Sequence, residues 1–195
     1  MDIREMQRQQ MREHFVGIAK TMVVEEGVDS VSVRKIADIA HCSYPTIYNY
    51  FRDMNELLWH VVASLLGDMY DSFRDFEEQN QYDTVDLKSL CRRYTEYFYH
   101  NPHLFTFFFF RDIGLPPPEI ADMVSPPHIV HLTMGILEDC LGEAHSPEEI
   151  AAYCDLLTEA LHGKLLFIFS HKEELVLPQI LQSIDAMIDL IFNLS

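Results

Sequence analysis

Six residues within the eight positions 43–50 could do recognition chemistry: Ser43, Tyr44, Thr46, Tyr48, Asn49 and Tyr50. They carry hydroxyls, a carboxamide and three phenol rings, and no charge. Hydroxyls and phenols donate to phosphate oxygens, and a carboxamide can pair bidentately with the edge of adenine. Displayed along one short helix, the set suits contact with a nucleic-acid backbone and its base edges. On that reading Tyr48 and Tyr50 hold phosphates, while Tyr44, Thr46 and Asn49 face bases.

The flanking residues are those that would position such a helix. Ser32 can cap a preceding helix through its hydroxyl, and Val33, Ile36, Ala37 and Ala40 fall at i, i+3, i+4, i+7 to make one buried face. His41-Cys42-Ser43 forms the turn, Ser43 caps the next helix, and Pro45 is tolerated in its first turn. Ile47 and Phe51, four apart, give the second helix its own core face, so it runs from Ser43 to Phe51. A first helix from Asp2 to about Glu26, with a stripe of Met11, Phe15, Ile18, Ala19, Met22 and Val23, packs against both and ends at Gly27. Arg4, Arg8 and Arg12 recur every four residues on it. With Arg34, Lys35 and Arg52 they supply several backbone contacts, each weakening with salt.

These residues resemble the TetR family of bacterial transcription regulators. The family's run of Thr-Val-Arg-x-Ile-Ala, turn, Ser-x-Gly/Pro-Thr-Leu-Tyr-x-Tyr/His-Phe and x-x-Lys-x-x-Leu-Leu is matched here by Ser32-Val33-Arg34-Lys35-Ile36-Ala37, by Ser43 to Phe51 and by Asn55-Glu56-Leu57-Leu58. The match covers about the first third of the chain. Two positions depart from it: the usual turn glycine is His41, and the usual lysine opening the fourth helix is Met54. His tolerates positive φ better than most residues, so the turn survives with some strain; the absent lysine removes one phosphate contact. The resemblance implies a homodimeric regulator, most simply a repressor, on a palindromic double-stranded operator, released by a small-molecule effector. It adds Ser32 and Arg34 to the DNA-contact candidates. It divides the chain into a DNA-binding domain, 1–53, and an effector-binding and dimerisation domain, 54–195.

Charge follows the same division. The net charge is −17, yet residues 1–60 hold seven Lys and Arg against nine Asp and Glu, and residues 61–195 the other seven against twenty-two. A near-neutral head on an acidic body disfavours DNA everywhere except the docked face.

The rest of the chain reads as all-α, about nine helices in all, with no alternating strand pattern. Asp53 with Glu56 starts a fourth helix whose stripe, Leu57 to Phe73, continues to about Phe76. Further helices follow at about 84–99, from Pro102, from Pro127 to 141, from Ser146 (a capping box with Pro at N1) to about 170, and at 177–194. Four consecutive phenylalanines, Phe107 to Phe110, cover every side of a helix, which must be buried all round, line a cavity or meet a partner. Regulators of this kind carry an apolar pocket with a few polar anchors in the body, for which Tyr70, Tyr94, Tyr97, Phe107, Phe110 and Met134 are the candidates. The last two helices each show more than one apolar face. Leu156, Ala160, Gly163 and Phe167 on one, and Ile180, Ile184, Met187, Ile188 and Ile191 on the other, are the expected dimer interface.

Catalytic chemistry finds no footing. There is no GxSxG, P-loop or Rossmann pattern, and only seven glycines, so no enzyme, no cofactor and no metal are expected. Alternative readings are a regulator without an effector, or a metal- or redox-responsive one using His128 and His131 at i, i+3 or Cys42 in the turn. Four cysteines without CxxC spacing fit a reducing compartment. The polar opening from Met1 to Arg12 and the short apolar run Leu104 to Phe110 give neither a signal peptide nor a membrane span, and point to the cytoplasm.

Overall fold

The computed structural model describes residues 2–77, 81–124, 128–170 and 176–192, with the side chains of Glu77, His128 and Glu143 left out. Among the described residues the structure is all-helical, with eleven α-helices and no strand. They are α1 (Ile3–Glu26), α2 (Val33–Ile39), α3 (Tyr44–Ile47), α4 (Met54–Asp71), α5 (Arg74–Glu77), α6 (Thr84–His100), α7 (Pro102–Phe110), α8 (Ala121–Val124), α9 (His128–Leu141), α10 (Pro147–Phe169) and α11 (Leu177–Phe192). The two beyond the expected nine are α5 and α8, of four residues each. None of the described helices is long and apolar enough to cross a membrane.

The chain packs as two compact units. One is Met1–Asp68 with His103–Ser125, the other Met69–Pro102 with Pro126–Ser195. In the first, α1 opens on a capping box, the Glu5 carboxylate accepting from the Asp2 N–H at 3.0 Å. It buries Phe15, Ala19, Met22 and Val23, and closes at Gly27, where φ is 85°. Ser32 caps α2 by accepting from the Lys35 N–H at 3.3 Å. Then α2 closes in a Schellman motif: the His41 N–H donates to the Asp38 carbonyl and the Cys42 N–H to that of Ala37. The motif needs a left-handed residue after the cap, and His41 takes it at φ 53°.

Two helix lengths differ from expectation. The second helix of the pair is α-helical only over Tyr44–Ile47, and the segment to Phe51 continues as tighter turns, Asn49 N–H to Thr46 O and Tyr50 N–H to Ile47 O. The fourth helix stops at Asp71 instead of reaching Phe76. There the Ser72 hydroxyl donates to the Met69 carbonyl at 2.5 Å, and the Ser72 and Phe73 N–H groups reach back only three residues. A serine that bonds to its own helix competes with the helical ladder. Of the three alternatives for the four-phenylalanine helix, burial all round is excluded: Phe107 is buried, but Phe109 and Phe110 are exposed. α7 is covered on one face rather than all round.

The second unit is a helical bundle in which α6 packs on α9, α10 and α11. Asp83 caps α6 and Ser146 caps α10, each in a reciprocal capping box. Ile180, Ile184 and Ile188 of α11 are fully buried on the α6 side, and Arg92–Asp185 and Lys88–Asp189 ion pairs tie the same two helices. That face of α11, expected at a dimer interface, belongs to the core of this unit.

Candidate nucleic-acid interface

Ile47 of α3 and Phe51 of the turns after it are both essentially buried, and Phe15 of α1 packs edge-on against Tyr50 between them. What it turns outward matches the sequence reading at four positions: Tyr44, Tyr48 and Asn49 are exposed, and Ser43 is exposed with its hydroxyl 2.8 Å from that of Thr46. Tyr50 is placed differently. Its ring meets Phe15 edge-on at 5.4 Å and lies under the Arg8 guanidinium at 5.5 Å, so it is half-buried packing as much as display. Ser32 is engaged as the α2 cap, and Arg34 beside it is exposed.

The arginine stripe of α1 divides. Arg8 donates to the Asn49 carbonyl at 2.9 Å, fixing the main chain behind the carboxamide. Arg12 is turned inward, with 19% of its side chain exposed, and donates to Tyr50 O, Glu56 and His60. It is therefore not a free phosphate contact, as its place in the stripe had implied. Arg4, Gln7, Arg8, Gln10, His14, Asn49 and Tyr50 line an open groove of about 680 Å³ along the α1 edge of this surface. A groove edged by guanidiniums and amides beside an outward helix of hydroxyls, with no carboxylate lining it, is suited to a phosphate backbone.

Spacing alone could not separate Arg12 from Arg4 and Arg8. The signal for its role lay in Glu56 and His60, four apart on one face of α4. At the start of α4 the Asp53 carboxylate accepts from the Glu56 N–H, which holds it below the usual carboxylate range, and Glu56 reaches back to the Arg52 N–H at 2.8 Å.

Glu56, His60 and Glu119 each bring one ligand atom within 4.8 Å of the others. The Arg12 guanidinium already lies 2.6 Å from His60 Nε2 and 3.3 Å from Glu56, so the positive charge there is the protein's own. His131 is exposed and the His128 side chain lies outside the described residues. Cys42 is half-buried in the α2–α3 turn.

Of the pocket candidates, Tyr94 is buried in the second unit, its hydroxyl 2.6 Å from His162 Nε2 and its ring edge-on to Phe98 at 5.0 Å. Tyr70, Tyr97 and Met134 are half-buried in that unit, while Phe107 and Phe110 belong to the other. On α10, Leu156 and Phe167 are exposed at 47% and 52%, and Ala160 and Gly163 lie half-buried between them. On α11 only Met187 and Ile191 of the expected interface retain exposure, joined by the exposed Leu190.

Residues 18–61 match the family model of bacterial regulatory proteins, tetR family. No curated protein matches the sequence. Among solved structures, the fold is similar to that of a protein assigned as a fatty acid metabolism regulator from Clostridium perfringens. That pair shows 18% identity and a TM-score of 0.66, over 90% of this chain and 96% of that one. It is also similar to the transcriptional regulator FadR of Bacillus subtilis, determined in complex with stearoyl-CoA (15% identity, TM-score 0.64, 90% and 96% of the chains). A third is a TetR/AcrR-family regulator from Thermobifida fusca (16% identity, TM-score 0.64, 92% and 96%). At such identities the structural likeness is one of fold, and the matched head carries the assignment. The helix-turn-helix head, residues 18–61, is thus that of bacterial regulatory proteins of the tetR family, and the all-helical fold as a whole is similar to that of solved regulators.

Proposed function

We propose that the protein is a homodimeric repressor that binds a palindromic operator through Ser43 to Phe51 and leaves it when a small molecule binds the body. The observation that carries the DNA-reading half is the outward set Tyr44, Tyr48 and Asn49 on α3 and the turns after it, a segment held by buried Ile47 and Phe51 and by Phe15 against Tyr50. A rigid seat under an uncharged, hydrogen-bonding face is what base readout requires.

The dimer rests on the stripe Leu156, Ala160, Gly163, Phe167 of α10, exposed at Leu156 and Phe167, with Met187, Leu190 and Ile191 of α11 beside it in the reading. Small residues between two large exposed ones let a second copy's helix approach closely, and a two-fold dimer spaces two reading helices one DNA turn apart. We keep the division at residue 53 as the functional one, with α4 as the continuous helix by which the body acts on the head.

For the effector, the reading places an apolar molecule beside Tyr70, Tyr94, Tyr97 and Met134, with the Tyr94–His162 pair as polar anchor. The stearoyl-CoA complex of FadR, a protein of the same fold, supports an acyl-like body for that molecule. The excess of twenty-two acidic over seven basic residues in 61–195 opposes a polyanionic head group. Titrating the protein–operator complex with fatty acids, their esters and long-chain amines tests this. Release by one of these classes supports the effector, and no release by any of them leaves the reading without one.

A further inference from the structure

Arg12 engages four groups at once from the middle of α1. Its guanidinium donates to the main-chain carbonyl of Tyr50, to Glu56 Oε1 at 3.3 Å and to His60 Nε2 at 2.6 Å, and it lies over the Phe51 ring, 4.6 Å from the centroid. Glu56 in turn accepts from the Arg52 N–H, and Phe51 meets the His60 ring edge-on at 5.6 Å. The guanidinium thus joins α1, the chain just past α3 and the first turns of α4.

The reading helix needs such support. α3 is a four-residue helix, too short to hold itself, and the carbonyls past its end have no helical partner. Arg8 supplies a donor to Asn49 O, and Arg12 supplies one to Tyr50 O. Only a planar fork can donate in several fixed directions while stacking on a ring. A lysine would keep the charge and lose the geometry.

We propose that Arg12 is a positioning residue for operator recognition: it pins the Tyr48–Phe51 end of the reading segment to α1 and α4, and does not itself touch DNA. This rests on the DNA-reading role given to residues 43–50. His60 completes the seat as an acceptor, which requires its neutral form. Burial, and then the adjacent guanidinium, hold its pKa below the usual histidine value.

The test is Arg12→Lys, measured in two ways. First, hydrogen exchange of the free protein: the Tyr50 and Phe51 amides, both bonded to Ile47 O, should exchange faster while the α6 amides do not change. Second, affinity for a duplex selected by the wild-type protein from random sequence, at several salt concentrations. Binding should weaken about tenfold or more, the scale of one lost base pair contact, with the slope of log affinity against log salt unchanged. The charge-removing Arg12→Gln then separates the roles: a slope shallower by about 1.8, one phosphate contact in each of two protomers, would make Arg12 a phosphate contact and overturn the proposal. So would unchanged exchange at Tyr50 and Phe51. If Arg12→Lys does not fold, Glu56→Gln, which keeps the guanidinium but removes its charged partner, should show the same exchange change in smaller measure. If the wild-type protein selects no sequence, the DNA-reading role fails, and exchange still decides whether Arg12 pins the segment.

Discussion

The Tyr94 hydroxyl and His162 Nε2 are 2.6 Å apart, and the two rings stack with centroids 5.8 Å apart inside the second unit. Burial pushes the phenol's pKa up and the imidazole's down, so tyrosine donates and neutral histidine accepts. His162 and His60 both bind protons less readily folded than unfolded. Their contribution to stability is therefore complete above the unfolded value of about 6.5 and is lost as pH falls toward the lower folded values. Denaturant unfolding at pH 7.5 and pH 5.5 should show lower stability at pH 5.5, with a smaller difference in His162→Gln. Tyr94→Phe, which removes a donor in a buried setting, should cost about 1–2 kcal/mol at pH 7.5.

Asn49 offers its carboxamide to solvent while its carbonyl is held by Arg8. Asn49→Ala leaves that main-chain bond and the Ile47–Phe51 seat untouched. Preference for the operator over unrelated DNA should fall by about 1–3 kcal/mol, with the melting temperature unchanged. Competition binding measures it, and an unaltered preference refutes base reading by Asn49.

Two substitutions on adjacent helices separate partner surface from core. Phe167 is half exposed on α10, whereas Ile184 of α11 is buried to 1%. Phe167→Glu should leave a folded protomer and shift sedimentation to the monomer. Ile184→Ala should cost about 2–5 kcal/mol of stability whatever the oligomeric state. A Phe167→Glu protein that sediments as a dimer would move the interface elsewhere.

His41 holds the left-handed position of the α2–α3 turn at φ 53°. Glycine adopts that conformation without the Cβ clash, so His41→Gly should raise stability by up to about 1 kcal/mol. His41→Val, β-branched, should lower it by about 1–2 kcal/mol, read from denaturant midpoints.

The head was legible because its signals are local. The Ser32 cap, the left-handed His41 and the i, i+4 pair Ile47 and Phe51 each depend on neighbours a few residues away, and each took the expected place. What was not legible depended on partners distant in sequence. Arg4, Arg8 and Arg12 are equivalent by spacing, and only the approach of Glu56 and His60 turns Arg12 inward. α11 reads as an apolar stripe, and nothing in that stripe tells which isoleucines α6 will cover. Between those cases stands Ser72, whose side chain ends α4 by a bond that competes with a pattern otherwise continuing through Phe73 and Phe76.

The central claim is that residues 43–51 read a specific DNA sequence. Fluorescence anisotropy with DNA flanking the protein's own coding region and with duplexes selected from random sequence, at 50 and 200 mM salt, tests it directly. The account predicts a saturable complex at a palindrome, two protomers per site, and an affinity that falls steeply between the two salts. Binding at neither salt, or binding indifferent to sequence, would contradict it.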